Sequence, residues 1–182
     1  MSTLIIEGGR RLSGAVAVEG NKNAALPLLA ACLLTSEECV LTNMPRISDV
    51  EVMARLLADL GAEVQGIGTA TVRVRCTRLV KDEPDPVLVG RLRGSVLLLG
   101  PLLARSGAVR VSLPGGCAIG VRPINLHLAA FEKLGAEVKL DHGYVEAKAA
   151  RLTGAEIGFD TVTVTGTENV MLAATLARGT TR

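Results

Sequence analysis

A chain of 182 residues can bury a sizeable core in one or two domains. It is 48% hydrophobic but only 2% aromatic, so its core is built from Leu, Val, Ile and Ala, and stacking platforms for single-stranded nucleic acid are missing. A net charge of +2 is too weak to argue for a polyanionic partner, so basic residues matter only where they converge. Cys32, Cys39, Cys76 and Cys117 form no C-x-x-C pair, and with the two histidines set apart from them zinc-ligand spacing is absent. The N-terminus carries no signal-peptide pattern, and the apolar runs 24–34 and 95–104 fall short of the roughly 20 residues that span a bilayer. The expectation is a cytoplasmic protein with reduced thiols, without metal or cofactor, and with neither a nucleic-acid nor a membrane partner.

In chain order, residues 4–7 and 15–19 alternate as strands around Gly8-Gly9. Asn21 or Asn23 then caps a helix over 24–34, with Lys22 where that helix begins. A short strand at 40–41 follows. Ser48-Asp49-Val50-Glu51 reads as a capping box opening an amphipathic helix that Gly61 ends. Strands at 63–65 and 71–75 lead to a polar linker, 82–86. A second apolar helix covers about 87–105, carrying Arg91 and Arg93 near its start and Pro101 late in the run. After a strand at 109–113 and a Gly/Pro-rich loop come a helix over 124–134, a hairpin across Asp141-His142-Gly143, a strand-like stretch at 157–165 and a helix over 168–178.

This order is a repeat. Leu60-Gly61-Ala62-Glu63-Val64 recurs as Leu134-Gly135-Ala136-Glu137-Val138, and Leu33-Leu34 through Pro45 matches Leu102-Leu103 through Pro114 at an offset of 69. Leu103-Ala104-Arg105 matches Leu176-Ala177-Arg178 at an offset of 73. The unit is about 70 residues long, helix–strand–helix–strand–strand, with repeats at about 21–85, 86–155 and 156–182 and the third cut short. The chain is therefore expected to be a part of a longer protein. From Pro45 to Gly61 is 16 positions but from Pro114 to Gly135 is 21, so the second unit carries five extra residues, in the loop Leu113-Pro114-Gly115-Gly116-Cys117-Ala118-Ile119-Gly120-Val121-Arg122-Pro123. Repeats accept insertions where a loop faces solvent or ligand. A thiol beside a permanent cation suits an anionic substrate. The plain alternative is an ordinary turn with Cys117 buried as a small hydrophobe.

At Gly20-Asn21-Lys22-Asn23-Ala24-Ala25-Leu26-Pro27, at 113–123 and at Thr165-Gly166-Thr167-Glu168-Asn169, the chain resembles the UDP-N-acetylglucosamine 1-carboxyvinyltransferase family along essentially its whole length. The resemblance implies an α/β fold, an inside-out α/β barrel of the enolpyruvyl transferase type. In that fold residues 1–20 form strands that pack with an absent second domain, and 21–182 form an incomplete first domain. It also implies transfer of the enolpyruvyl group of phosphoenolpyruvate to the 3-hydroxyl of UDP-N-acetylglucosamine, with release of phosphate.

The same resemblance assigns roles. Cys117 would be the general acid that protonates the methylene carbon, a thiol that also bonds phosphoenolpyruvate and is the target of fosfomycin. Lys22, Asn23 and Arg122 would hold phosphoenolpyruvate. Arg93, Arg122, Pro123, Ile124, Asn125, Leu126, Thr161, Val162, Thr163 and Val164 would contact the nucleotide sugar, with His127 ranked below Arg122 as a further candidate. Some members differ at Thr161 and have Ser-Val-Gly in place of Thr163-Val164-Thr165. The family's aspartate base and further arginine clamps have no counterpart here, so the chain alone is expected to lack turnover. Alternatives are the sister transferase acting on shikimate 3-phosphate, which lacks the Gly-Gly-Cys loop, and a non-catalytic half-enzyme that binds a nucleotide sugar or its missing half. An RNA phosphate-cyclase relative shares the repeat but calls for nucleic-acid features absent here. The oligomeric state is not legible.

Overall fold

The computed structural model describes residues 3–113 and 123–182. Helix α1 (Lys22–Ala31) starts where Asn21 takes an extended backbone and its Oδ1 accepts from the Asn23 and Ala24 amides at 2.7 and 3.3 Å. A 3-10 turn (Cys32–Leu34) feeds strand β1 (Glu38–Thr42). Helix α2 (Ser48–Asp59), β2 (Glu63–Gln65) and β3 (Thr71–Arg75) complete an antiparallel sheet of order β1-β3-β2. The expected capping box is not formed. Ile47 holds the cap position, and Glu51 pairs one turn along with Arg55 at 3.1 Å.

The second unit opens with α3 (Pro86–Arg91), capped by Asp85, whose Oδ1 accepts from the Val87 amide at 2.7 Å. The single helix expected over 87–105 is broken. Leu92 is extended, a 3-10 segment (Arg93–Leu98) follows, and α4 (Leu99–Ser106) completes the run. Gly90 and Gly94 flank the break and weaken helix there, while Pro101 is tolerated because it lies in the first turn of α4. Strands β4 (Ala108–Ser112), β5 (Glu137–Asp141) and β6 (Tyr144–Lys148) form a sheet of order β4-β6-β5, with α5 (Asn125–Lys133) between β4 and β5. His142 and Gly143, both at positive φ (45° and 81°), close the β5–β6 hairpin in the primed turn that suits strand twist.

The repeat is therefore physical. The chain after each sheet returns to the end of the preceding helix, Val80 N–H to Leu60 O and Thr153 N–H to Leu134 O. The next unit then bonds to that return, Arg110 N–H to Asp82 O and Arg182 N–H to Ala155 O, both at 3.0 Å. The third unit contributes α6 (Val164–Ala174).

Helices fill the middle and the sheets lie outside, each strand of β3, β4 and β6 burying alternate residues. One continuous core runs from Ala25 to Ala173 and includes the fully enclosed Phe131. This is an α/β, inside-out arrangement in which the two sheets stay separate and no barrel closes among the described residues. No described helix is long and apolar enough to cross a membrane.

Four further expected elements are corrected. Residues 4–7 and 15–19 form no strand, and Leu4, Ile5, Ile6, Leu12, Val16 and Val18 are 82–93% exposed, because no described segment offers them a ladder. The stretch 157–165 is not a strand either: Ile157 N–H reaches Arg182 O, but Val162 projects outward. Helix α6 begins at Val164 rather than Glu168, because Thr163 Oγ1 accepts from the Gly166 amide at 3.1 Å and caps it there.

Candidate active site

The site grows from helix beginnings that the core holds together. Lys22 is the first residue of α1, and its half-exposed ammonium forms an ion pair with Asp49 of α2. An ammonium carries three donors, so two remain for an anion. Asn23 lies beside it, exposed, with its backbone N–H on Asn21. Asp49 is a partner that sequence reading misses, because 27 positions separate it from Lys22 and its local pattern suggests only a cap.

Arg93 sits at the start of the 3-10 segment that packs on α1. A Cβ at neighbouring Gly94 would lie 2.8 Å from Leu26 Cδ1, so glycine sets how closely Arg93 approaches the helix bearing Lys22. On the other side stands His127, on α5, only 3% exposed, with Nε2 3.0 Å from Thr165 Oγ1 on α6. Burial first, and then the Arg93 charge, lower the His127 pKa from 6.5 to about 4, so the ring is neutral near pH 7; the Ile124 carbonyl opposes this without offsetting it. Its Nδ1 is buried and has no hydrogen-bond partner among the described residues.

Asn169, fully buried on α6, completes the frame. Its Oδ1 accepts from Gly100 N–H at 3.0 Å and its Nδ2 donates to Thr165 O at 3.1 Å. A Cβ at Gly100 would lie 2.5 Å from Asn169 O, so α4 and α6 touch backbone to backbone there.

The expected sugar-nucleotide contacts fall at two adjoining helix starts. Pro123 and Asn125 are exposed and Leu126 half-buried, while Ile124 turns its side chain into the core, leaving its backbone for a ligand. The first turn of α5 has no side-chain cap, so its N–H groups can serve an anion. Thr161, Val162 and Val164 are exposed at the start of α6, and Thr163 spends an acceptor lone pair on the cap but keeps its hydroxyl proton. Cys117 and Arg122 lie outside the described residues. Of the other thiols, Cys32 is pushed up to about 12 by burial and by Cys39 beside it, and burial also raises Cys76, so both stay protonated and inert.

The sequence pattern of EPSP synthase (3-phosphoshikimate 1-carboxyvinyltransferase) matches residues 6–182. The chain belongs to that family. Within it, UDP-N-acetylglucosamine 1-carboxyvinyltransferases of Desulfosudis oleivorans and Koribacter versatilis are 52% and 53% identical to this chain. Each alignment covers 100% of this chain, which spans only 43% and 42% of those relatives. Among solved structures, the enolpyruvyl transferase NikO from Streptomyces tendae matches with a TM-score of 0.81 at 27% identity, over 96% of this chain and 41% of that one. EPSP synthase from Acinetobacter baumannii matches with a TM-score of 0.71 at 16% identity, over 91% of this chain and 39% of its own, a likeness of fold alone.

Proposed function

We propose that this chain, within a protein of its relatives' length, transfers the enolpyruvyl group of phosphoenolpyruvate to the 3-hydroxyl of UDP-N-acetylglucosamine and releases phosphate, a cytoplasmic step of peptidoglycan synthesis. The observation that carries this reading is identity of 50–54% along the whole chain to relatives with that named activity. The shikimate 3-phosphate alternative is less supported, because its solved representative shares only 16% of residues.

In this reading Lys22 and Asn23 hold the phosphate and carboxylate of phosphoenolpyruvate, with Arg122 shared between substrates; each charge-assisted bond contributes about 1.5–3 kcal/mol. Asp49 keeps the Lys22 ammonium aimed before substrate arrives. Cys117 donates the proton to the methylene carbon as the sugar oxygen attacks the adjacent carbon. Arg93 and the segments 123–126 and 161–164 receive the nucleotide sugar. Residues 1–20, whose described aliphatic side chains from Leu4 to Val18 are exposed, belong with the remainder of a protein of its relatives' length.

The test is direct. Fosfomycin, an epoxide, should add its mass to Cys117 and to no other thiol, faster when UDP-N-acetylglucosamine is present. A chain that binds shikimate 3-phosphate but neither UDP-N-acetylglucosamine nor fosfomycin would overturn the assignment.

A further inference from the structure

The repeat exposes an anomaly in the second unit. Counted back from Leu60-Gly61 and Leu134-Gly135, His127 of α5 occupies the place that Met53 holds in α2. Met53 is fully buried and apolar, as a core position should be, and His127 is also buried, at 3% exposure. Placing an imidazole in such a position desolvates two nitrogens, a cost that only a specific partner offsets. One partner exists: Thr165 Oγ1, 3.0 Å from Nε2, in the first turn of α6. Nδ1 has none among the described residues. The pair is a hydrogen bond in either ring tautomer, since the threonine hydroxyl can accept from Nε2–H or donate to bare Nε2.

We propose that His127 is a positioning residue that locks the beginning of α5 to the beginning of α6, and so fixes 123–126 and 161–164 relative to one another. The proposal rests on the nucleotide-sugar reading of those two segments. His127 is too enclosed to be a main ligand contact, and its role is transmitted through Thr165. Thr165 lies one residue beyond 161–164, His127 one residue beyond 123–126, so their bond ties the two segments at adjoining ends. With the tie, both segments present one preformed surface and little ordering is left to the moment of binding. Without it, two separate helix starts must be brought into register by the ligand.

Three variants test this in the 182-residue chain. His127→Met installs the first unit's residue and keeps the core filled, His127→Gln restores a hydrogen-bonding group near Nε2, and Thr165→Val removes the hydroxyl that Nε2 meets. Hydrogen exchange reads the coupling without any ligand. His127→Met and Thr165→Val should speed exchange at the amides of 166–168 by about tenfold while both sheets stay protected, and His127→Gln should restore much of the protection. Titration with UDP-N-acetylglucosamine should show about tenfold weaker binding for the same two variants, not additive when combined, and recovery in His127→Gln. Unchanged exchange in His127→Met overturns the coupling. Unchanged affinity in a variant that exchanges faster overturns its role in binding. If the wild-type chain does not bind UDP-N-acetylglucosamine, the functional reading fails, while hydrogen exchange still decides the coupling.

Discussion

The first and second units share strand order, pairing and helix placement, yet they handle the crossover from first strand to second helix differently. In the first unit five residues, 43–47, suffice: Asn43 turns at φ 54°, Met44 is buried, and its amide bonds Ala70 O at 2.9 Å. In the second, residues 113–124 intervene and contain both Cys117 and Arg122. The tight crossover is occupied with packing, and the expanded one carries the thiol and guanidinium to which the proposed function gives the chemistry. Duplicated scaffolds concentrate chemistry where one copy departs from the other, and His127 against Met53 is the same kind of departure inside the core.

The strongest way to break the comparison is at the joint between units. Arg105, in the last turn of α4, donates from Nη1 to Leu33 O and Thr35 O at 2.5 and 2.9 Å, and from Nη2 to Cys76 O and to Thr77 O at 3.1 Å. Aligned from Leu33 and Leu102, the first unit has exposed Ser36 at that place. Arg105→Ala should lower unfolding free energy by about 4 kcal/mol in urea titration, since several half-buried carbonyls lose a charged donor together. Ser36→Ala should change it by less than about 0.5 kcal/mol. Equal losses would mean that the units are joined by the core alone.

Next in size is the effect of pH. The native pKa of His127, about 4, lies below the ordinary 6.5, so the unfolded chain takes up the proton first as pH falls. Its contribution is whole above pH 6.5 and is lost progressively toward pH 4, by up to about 3 kcal/mol. The His127→Met chain, matched to the first unit, should show a flatter profile between pH 6.5 and 4.5. Identical slopes in the two chains would mean that the ring is not held neutral by the fold.

The smallest effect compares the caps that open the units. Asn21→Ala and Asp85→Ala should each cost about 1 kcal/mol by thermal or urea unfolding. Only Asn21→Ala should also weaken phosphoenolpyruvate binding, because it loosens the turn that carries Lys22 and Asn23. A matching loss of binding in Asp85→Ala would remove the functional distinction between the two helix starts.

What the sequence made legible was local or repeated. The β5–β6 hairpin announces itself through Asp141-His142-Gly143, and the Leu-Gly-Ala-Glu-Val pair marks equivalent helix ends. Residues 4–7 and 15–19 failed as strands because alternation specifies a face but not a partner. The break at Leu92 accompanies the seating of Gly94 against Leu26 of α1, a contact across 68 positions. The Lys22–Asp49 pair, the Arg105 clamp and the bond between His127 and Thr165 were invisible for the same reason, whereas Lys22, Asn23 and the segments 123–126 and 161–164 were named from the family resemblance, the last of them inside an expected strand.

Arg105 has an evolutionary consequence. It grips four backbone oxygens, and among side chains it meets the buried Cys76 thiol. The side chains at 35 and 77, outside the core, can therefore change so long as the chain follows the same path, whereas Leu33 and Cys76 are also held by the core and position 105 has no interchangeable occupant. Paired substitutions, the usual statistical trace of a contact, should be missing between this arginine and positions 35 and 77. In an alignment the joint of the molecule would look like an isolated invariant arginine beside two drifting threonine positions.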